Sequence, residues 1–377
     1  MSLEWEYKKL GKLCSFEKEI ISPIDNIEYI HYSFPAFDNN KEPEIEMGKD
    51  IKSSKFIFKK GDILYNKLNV KFKRVWNIDF DITNNSICST EFIPIQSKDI
   101  DRDFLYYSLI SPNLTNEMKY LSTGTSNSHQ RINPKDLKDY DLFLPKSKDI
   151  QHKIGYILKL LDKRIAISMK INHNLEKISS RLYSNLIYDK KDLEFIELKE
   201  ICKFIKGRKP TEISEQYKSD FEDYLTIEVL SNQNQTYAFD EKGIKAEEMD
   251  ILMVMDGASS GKLFYGKKGL VGSTLAKIDV KENYIELVYQ FLKINEKYIT
   301  ENTTGSAIPH TDKGLVLSLR LPISEKLTEY SDKFKNIRLA IISNNNEIMK
   351  LQHLRDILLP KLMSGEIDVS EVNCDLD

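Results

Sequence analysis

The stretch that opens Ile150-Gln151-His152-Lys153-Ile154 and runs to Arg181-Leu182 decides the architecture. Its apolar residues Ile150, Ile154, Ile157 and Leu161, then Ile171, Leu175, Ile178 and Leu182, follow alternating steps of three and four, broken at Arg164 and Ser168. That spacing is a heptad-like seam. Between Pro145 and Pro210 the only glycines are Gly155 and Gly207, so the stretch predicts a long helix. A second stretch, from Pro322 to Pro360, has no glycine and repeats the pattern through Leu327, Tyr330, Phe334, Ile337, Ile341, Asn344, Ile348, Leu351 and Leu358. Segments of ~36 residues would run ~54 Å, longer than the mean helix. One such helix would be read as cover for its own domain's core. Two at equivalent places predict antiparallel pairing, with Asn344 placed to fix the register or to sit on a solvated edge.

Outward from the helices the chain repeats itself. Leu10-Gly11-Lys12-Leu13-Cys14 is echoed by Leu198-Lys199-Glu200-Ile201-Cys202, and Gly61-Asp62-Ile63-Leu64 by Met249-Asp250-Ile251-Leu252, both offset by 188 on subtraction of residue numbers. The offset then falls steadily. It passes through Ser89/Ser273, Leu105/Leu287, Tyr107/Tyr289, Gly124/Gly305, His129/His310 and Pro145/Pro322, and reaches 174 at Asn172/Asn346 and Arg181/Arg355. Small loop deletions in the second copy produce such a drift, whereas chance matches would scatter. Before each long helix lie short alternating apolar stretches punctuated by Gly, Pro, Asn and Ser, which read as strands and loops. The expected fold class is α+β: mixed domains at 1–146 and 191–322, a central spacer helix at 147–190, a C-terminal spacer helix at 323–361 and a tail at 362–377. The two helices would pair as an antiparallel coiled coil, giving a pseudo-twofold molecule.

Composition narrows the function. A chain of 377 residues with 41% apolar residues can bury substantial cores. The charged opening Leu3-Glu4-Trp5-Glu6 is unlike a signal peptide, and no apolar run approaches the ~20 residues of a membrane span. A cytoplasmic protein with no membrane partner is expected. Cys14, Cys88, Cys202 and Cys374 lie far apart, with no zinc-finger spacing, so neither disulfides nor a metal is expected. A formal net charge of −3 gives no overall basic field, so nucleic-acid binding would rest on local patches or on partners.

These residues resemble the type I restriction-modification specificity (S) subunit family over nearly the whole chain. The resemblance is carried by Gly61-Asp62-Ile63-Leu64-Tyr65-Asn66, Ser89-Thr90-Glu91-Phe92, Asp250-Ile251-Leu252 through Asp256-Gly257 and Gly261-Lys262, and Thr303-Thr304-Gly305-Ser306-Ala307-Ile308-Pro309-His310. Ile150-Gln151-His152-Lys153-Ile154 with Leu161-Asp162 is similar to the start of the family's spacer helix. The most specific piece is Arg355-Asp356-Ile357-Leu358-Leu359-Pro360-Lys361-Leu362-Met363-Ser364-Gly365-Glu366-Ile367. The second helix departs from the pattern, opening Ser324-Glu325-Lys326-Leu327 without the Gln or the Leu-Asp step. The resemblance implies two target-recognition domains reading the half-sites of double-stranded DNA. It also implies two methyltransferase (M) subunits docked on the helices, and restriction/translocase (R) subunits recruited in the full complex.

Catalytic motifs are absent or broken. Gly257-Ala258-Ser259-Ser260-Gly261-Lys262-Leu263 is one residue short of a phosphate-binding loop and has Leu where Mg²⁺ ligation needs Ser or Thr. No two prolines are adjacent, so the Asx-Pro-Pro-aromatic motif of amino-methyltransferases is missing, and no cofactor is expected. Glu6-x-Lys8 and Glu197-x-Lys199 lack the Pro-Asp partner of metal-dependent nucleases, and a half-solvated strand face explains them better.

DNA binding needs Lys, Arg and polar loop residues. In the first domain the candidates are Lys67, Lys71, Lys73 and Arg74, then Thr125, Asn127, His129, Gln130 and Arg131. Gln130 and Arg131 are the preferred base readers, because Gln suits adenine and Arg suits guanine. In the second they are Lys206, Arg208 and Lys209, Ser259, Ser260 and Lys262, then Ser306, His310 and Thr311. Any single lysine reads more readily as a solvated surface charge, and each histidine equally as a satisfied structural one. The rival function is a non-catalytic, helix-mediated scaffold that binds only protein.

Overall fold

A computed structural model describes residues 4–39, 41–122, 130–188, 193–231, 235–305 and 307–374. The chain folds as two compact units, Met1–Ala166 with Met349–Asp377, and Ile167–Ile348. Four helices matter below: α1 (Arg102–Ile110), α2 (Lys148–Tyr188), α3 (Ile285–Ile294) and α4 (Ser331–Met363).

Both units repeat one plan. The first has a four-stranded sheet in the spatial order Cys14–Ser15, Phe92–Ser97, Ile63–Asn66, Val75–Asn77. The second has Cys202–Lys206, Leu275–Val280, Ile251–Val254, Leu263–Phe264. The motifs repeated at an offset of 188 thus form matching strands. Each unit also has a two-stranded antiparallel ribbon, Trp5–Lys9 with Asp141–Pro145 and Glu194–Glu197 with Arg320–Ile323. The mixed five-stranded sheets share one parallel pair, Glu28–Tyr32 with Ser86–Ser89 in the first unit and Glu222–Leu225 with Gly269–Val271 in the second. They differ at one edge. Glu19–Ile21 pairs with Lys55–Ile57, whereas its counterpart Glu212–Ser214 joins the opposite edge, on Tyr237–Phe239.

Packing departs from the expected seam in the first long helix. Ile150 and Ile154 are buried and Ile157, Leu161, Leu175 and Leu182 half-buried, but Ile171 is 45% and Ile178 55% exposed. The inward positions are Leu158, Ile165, Asn172, Ser179 and Leu186, seven residues apart, with Ser168 also buried. The helix runs through Arg164 and Ser168 unbroken, so its phase never resets. Polar seam residues made the pattern look interrupted. In α4 the inward face is apolar apart from the buried Arg338 and the half-buried Asn344: Phe334, Ile341 and Ile348 are buried, and Ile337, Leu351 and Leu358 half-buried.

The C-terminal segment does not form a tail. Leu362, Met363 and Val369 are buried with Leu359 in the main core of the first unit, beside Leu10, Phe104 and Leu158. Gly365 fits against Trp5 so closely that a Cβ would stand 2.7 Å from the indole. In the second unit Tyr183 and Leu186, at the end of α2, fill the corresponding core with Leu287, Leu321 and Phe334. Among the described residues no helix is long and apolar enough to cross a membrane.

Candidate nucleic-acid interface

In the first unit the strand Ile63–Asn66 runs into a tight turn, because the buried Asn66 amide donates to the carbonyl oxygens of Leu68 (3.0 Å) and Asn69 (3.4 Å). Asn69 and Lys73 adopt left-handed backbone at φ 53° and 48°. The turn is stitched to the segment after the polar glycine loop: Leu68 bridges Arg131, Asn69 N donates to Gln130 O (2.8 Å), and Ile132 N to Lys67 O (3.0 Å). Gln130 and Arg131 are thereby brought beside Lys67. Thr125, Asn127 and His129 lie outside the described residues.

The second unit makes the same join with different residues. Asp256, after the strand Ile251–Val254, bridges His310, which also bridges Thr304. Gly257 N donates to Pro309 O (3.0 Å) and Thr311 N to Met255 O (2.8 Å). The Gly257–Lys262 loop leads into the strand Leu263–Phe264, so the helix that would complete a phosphate-binding loop is not there. Ser306 lies outside the described residues.

Several candidates prove to be internal ties. Ser260 is 2% exposed, its hydroxyl donating to Gly257 O and Pro309 O, and Thr311 is 6% exposed, donating to Val254 O. Neither side chain can reach DNA; short polar loops hide their own turn-forming hydroxyls. Arg74 grips Asp38 with two hydrogen bonds (2.8 and 2.7 Å) under the rings of Phe34 and Phe72, and its side chain is 15% exposed. It fixes the loop rather than offering a free cation. Arg208 makes the same double contact with Asp240, whose carboxyl it holds below the ordinary value, but remains more open. Lys67 and Ser259 are half-buried, while Lys71, Lys73, Lys209 and Lys262 are exposed. Among the described residues none of these five lysines is in an ion pair. Lys71 and Lys262 lie over Phe72 and Phe264.

Three features escaped sequence reasoning. Lys18 lines a cleft of about 360 Å³ with Lys59 and Asp62, and burial, then Lys67 and Lys138, push its ammonium below the usual value. No local pattern connects Lys18, Lys67 and Lys138. Arg338, 1% exposed, donates to Met249 O (2.8 Å) and pairs with Glu286 at 3.0 Å between Tyr265 and Tyr289. Its position between Phe334 and Ile341 was the available signal. Third, His31, Glu44 and Glu46 place ligand-capable atoms within 4.8 Å of one another. His31 Nδ1 is engaged with Glu46 (2.9 Å) and Glu44 with Ser33 (3.0 Å), His31 Nε2 is buried without a hydrogen-bond partner among the described residues, and the buried Lys55 offsets the charge. Burial lowers the His31 pKa, with the Glu46 contact opposing.

The long helices meet within each unit through polar contacts. In the second, the Asn172 amide donates to Asn345 Oδ1 (2.8 Å) and Asn344 to Asn172 Oδ1 (2.9 Å). In the first, Arg355 donates to Asp162 (2.9 Å), which also accepts from the Tyr107 hydroxyl of α1 (2.8 Å).

A tandem pair of mixed α/β domains, each presenting two joined loops and each packed on paired helices, defines a duplicated recognition protein. The description "Type I restriction modification DNA specificity domain" matches residues 2–177 and again residues 190–353, and the chain belongs to that family. The MjaVIII specificity subunit of Methanocaldococcus jannaschii is 28% identical over 182 residues, a match covering 46% of this chain and 42% of that relative. The HindI specificity subunit of Haemophilus influenzae is 23% identical, covering 87% of this chain and 92% of its own. The crystal structure of the type I S subunit from M. genitalium has the same fold, with a TM-score of 0.59 at 19% identity and 96% of each chain covered.

Proposed function

We propose that this chain gives a type I restriction-modification complex its sequence specificity, each unit reading one half of a bipartite DNA target. The observation that carries the proposal is the doubled loop pair: two family domains in tandem, each presenting a basic side chain and exposed lysines from the same join between loops. Free lysines suit phosphates, and Gln130, Arg131 and His310 suit base edges. Exposed apolar residues on α2, Ile167, Met169, Ile171 and Ile178 among them, support docking of a methyltransferase subunit there. Two such subunits, with restriction/translocase subunits joining them, would supply the catalysis in the cytoplasm. Specificity subunits are generally non-catalytic, and this chain would neither methylate, cleave nor hydrolyse ATP alone.

The test is to co-express the chain with a type I methyltransferase subunit and map modified bases genome-wide. A split motif, two short half-sites around a fixed spacer, is expected. Modification at a single undivided motif would contradict two readers. Modification that does not depend on this chain would leave only the protein-scaffold reading.

A further inference from the structure

Each unit ends its loop pair in one device, a basic side chain gripped by a carboxylate. Arg131, bridged to Leu68, donates from Nη2 to Glu91 Oε1 at 2.8 Å, and His310, bridged to Asp256, places Nδ1 2.8 Å from Asp256 Oδ1. Both side chains stay open, 57% and 50% exposed, while Ser260 and Thr311 beneath the second are buried. The chain is shaped around the ring: Gly305 has φ +91°, and a Cβ there would stand 2.4 Å from Ile308 O and 3.0 Å from His310 Cδ2.

The grip fixes which atom faces outward. Asp256 takes its second contact from Lys206 Nζ at 2.9 Å. Burial pushes its carboxyl up, but the hydrogen bonds from Lys206 and His310 outweigh that and hold it below the ordinary value. A depressed carboxylate keeps its charge above that value and loses it only as pH falls through the folded one, so Asp256 is anionic near neutrality. An anionic acceptor selects the Nδ1–H tautomer and leaves Nε2 as the ring's other polar atom.

We infer that Arg131 and His310 are the specificity-determining residues of the two units, Arg131 addressing a paired acceptor edge and His310 a single base atom through Nε2. With Nδ1–H held by Asp256, Nε2 would accept from an exocyclic amino group of adenine or cytosine. This rests on the DNA-reading function proposed above.

The experiment measures binding of the full chain, in complex with its methyltransferase, to the mapped target and every single-base variant of it. His310→Gln should lower discrimination about tenfold at one base pair, leaving the other half-site unchanged. Asp256→Asn should do the same more weakly. Arg131→Lys should flatten one base pair of the other half-site and leave the His310 half-site unchanged. Specific binding with every preference intact in His310→Gln would overturn the assignment alone, as would uniform weakening on all duplexes, the mark of a phosphate contact. If the unsubstituted complex binds all duplexes alike, the DNA-reading function itself fails.

Discussion

In the first unit the paired helices are tied to α1 by Tyr107, Asp162 and Arg355, the last two 30% and 27% exposed; in the second the equivalent α3 is tied to α4 by Glu286 and Arg338, 7% and 1% exposed. The same anchoring is achieved at the surface in one unit and inside the core in the other. Burial pushes the Glu286 pKa up against the opposing pull of Arg338. A wet anchor contributes little but tolerates change, whereas a dry one must be complete. Duplication preserved the plan, and each copy settled its polar contacts separately.

The largest effect should come from the shared rule that each core is closed by the end of a long helix. Removing residues 362–377 takes Leu362, Met363 and Val369 out of the first core. Large-to-small core changes cost about 2 to 5 kcal/mol each, so loss of cooperative unfolding of the first unit is expected by calorimetry. If the truncated chain melts as before, the segment is a tail after all.

Next come the anchors. Arg338→Met strands Glu286 in the core and should cost about 3 to 5 kcal/mol in denaturant titration, with Glu286→Leu added to it recovering most of the loss. Asp162→Asn should cost only about 1 kcal/mol. Equal costs would mean that the two anchors do not differ as their burial suggests.

Lengthening α2 is a milder change. Four residues inserted between Ser168 and Ile171 add ~6 Å and rotate the following face by ~40°, so the seam is roughly kept while Asn172 is shifted one turn from Asn344. The mapped motif should keep both half-sites around a spacer longer by one or two base pairs, at ~3.4 Å per base pair. An unchanged spacer with full activity would deny the helices any part in setting it.

The smallest effect separates two neighbouring cations. Lys71→Ala should weaken binding evenly across sequences and lower the salt slope by about 1. Arg74→Ala should instead lower thermal stability, since its guanidinium is already held by Asp38. The reverse outcome would exchange their roles.

How far the sequence could be read depended on what faces inward. In α4 the seam was legible because Phe334, Ile341 and Ile348 are apolar; in α2 Ser168, Asn172 and Ser179 hold seam positions, and an apolar pattern cannot register them. The repeat locates the two loops but pairs His129 with His310, whereas the bridges Leu68–Arg131 and Asp256–His310 make Arg131 the counterpart of His310. The ties inside the loops do not follow from it, since Ser260 and Ser259 look alike until one hydroxyl is seen to bond inward. Lys18, Lys67 and Lys138 come together only in the folded unit, the last from the helix Pro134–Asp139, and the switch of Glu212–Ser214 to the other edge depends on pairings that no local stretch of sequence encodes.

The claim on which all this depends is that each unit reads one half-site on its own, and exchanging residues 4–146 for the equivalent part of a relative with a different target tests it. Methylation mapping of cells carrying the exchanged chain and its methyltransferase should show one half-site replaced and the other retained. Replacement of both, or of neither with modification still dependent on this chain, would contradict the account.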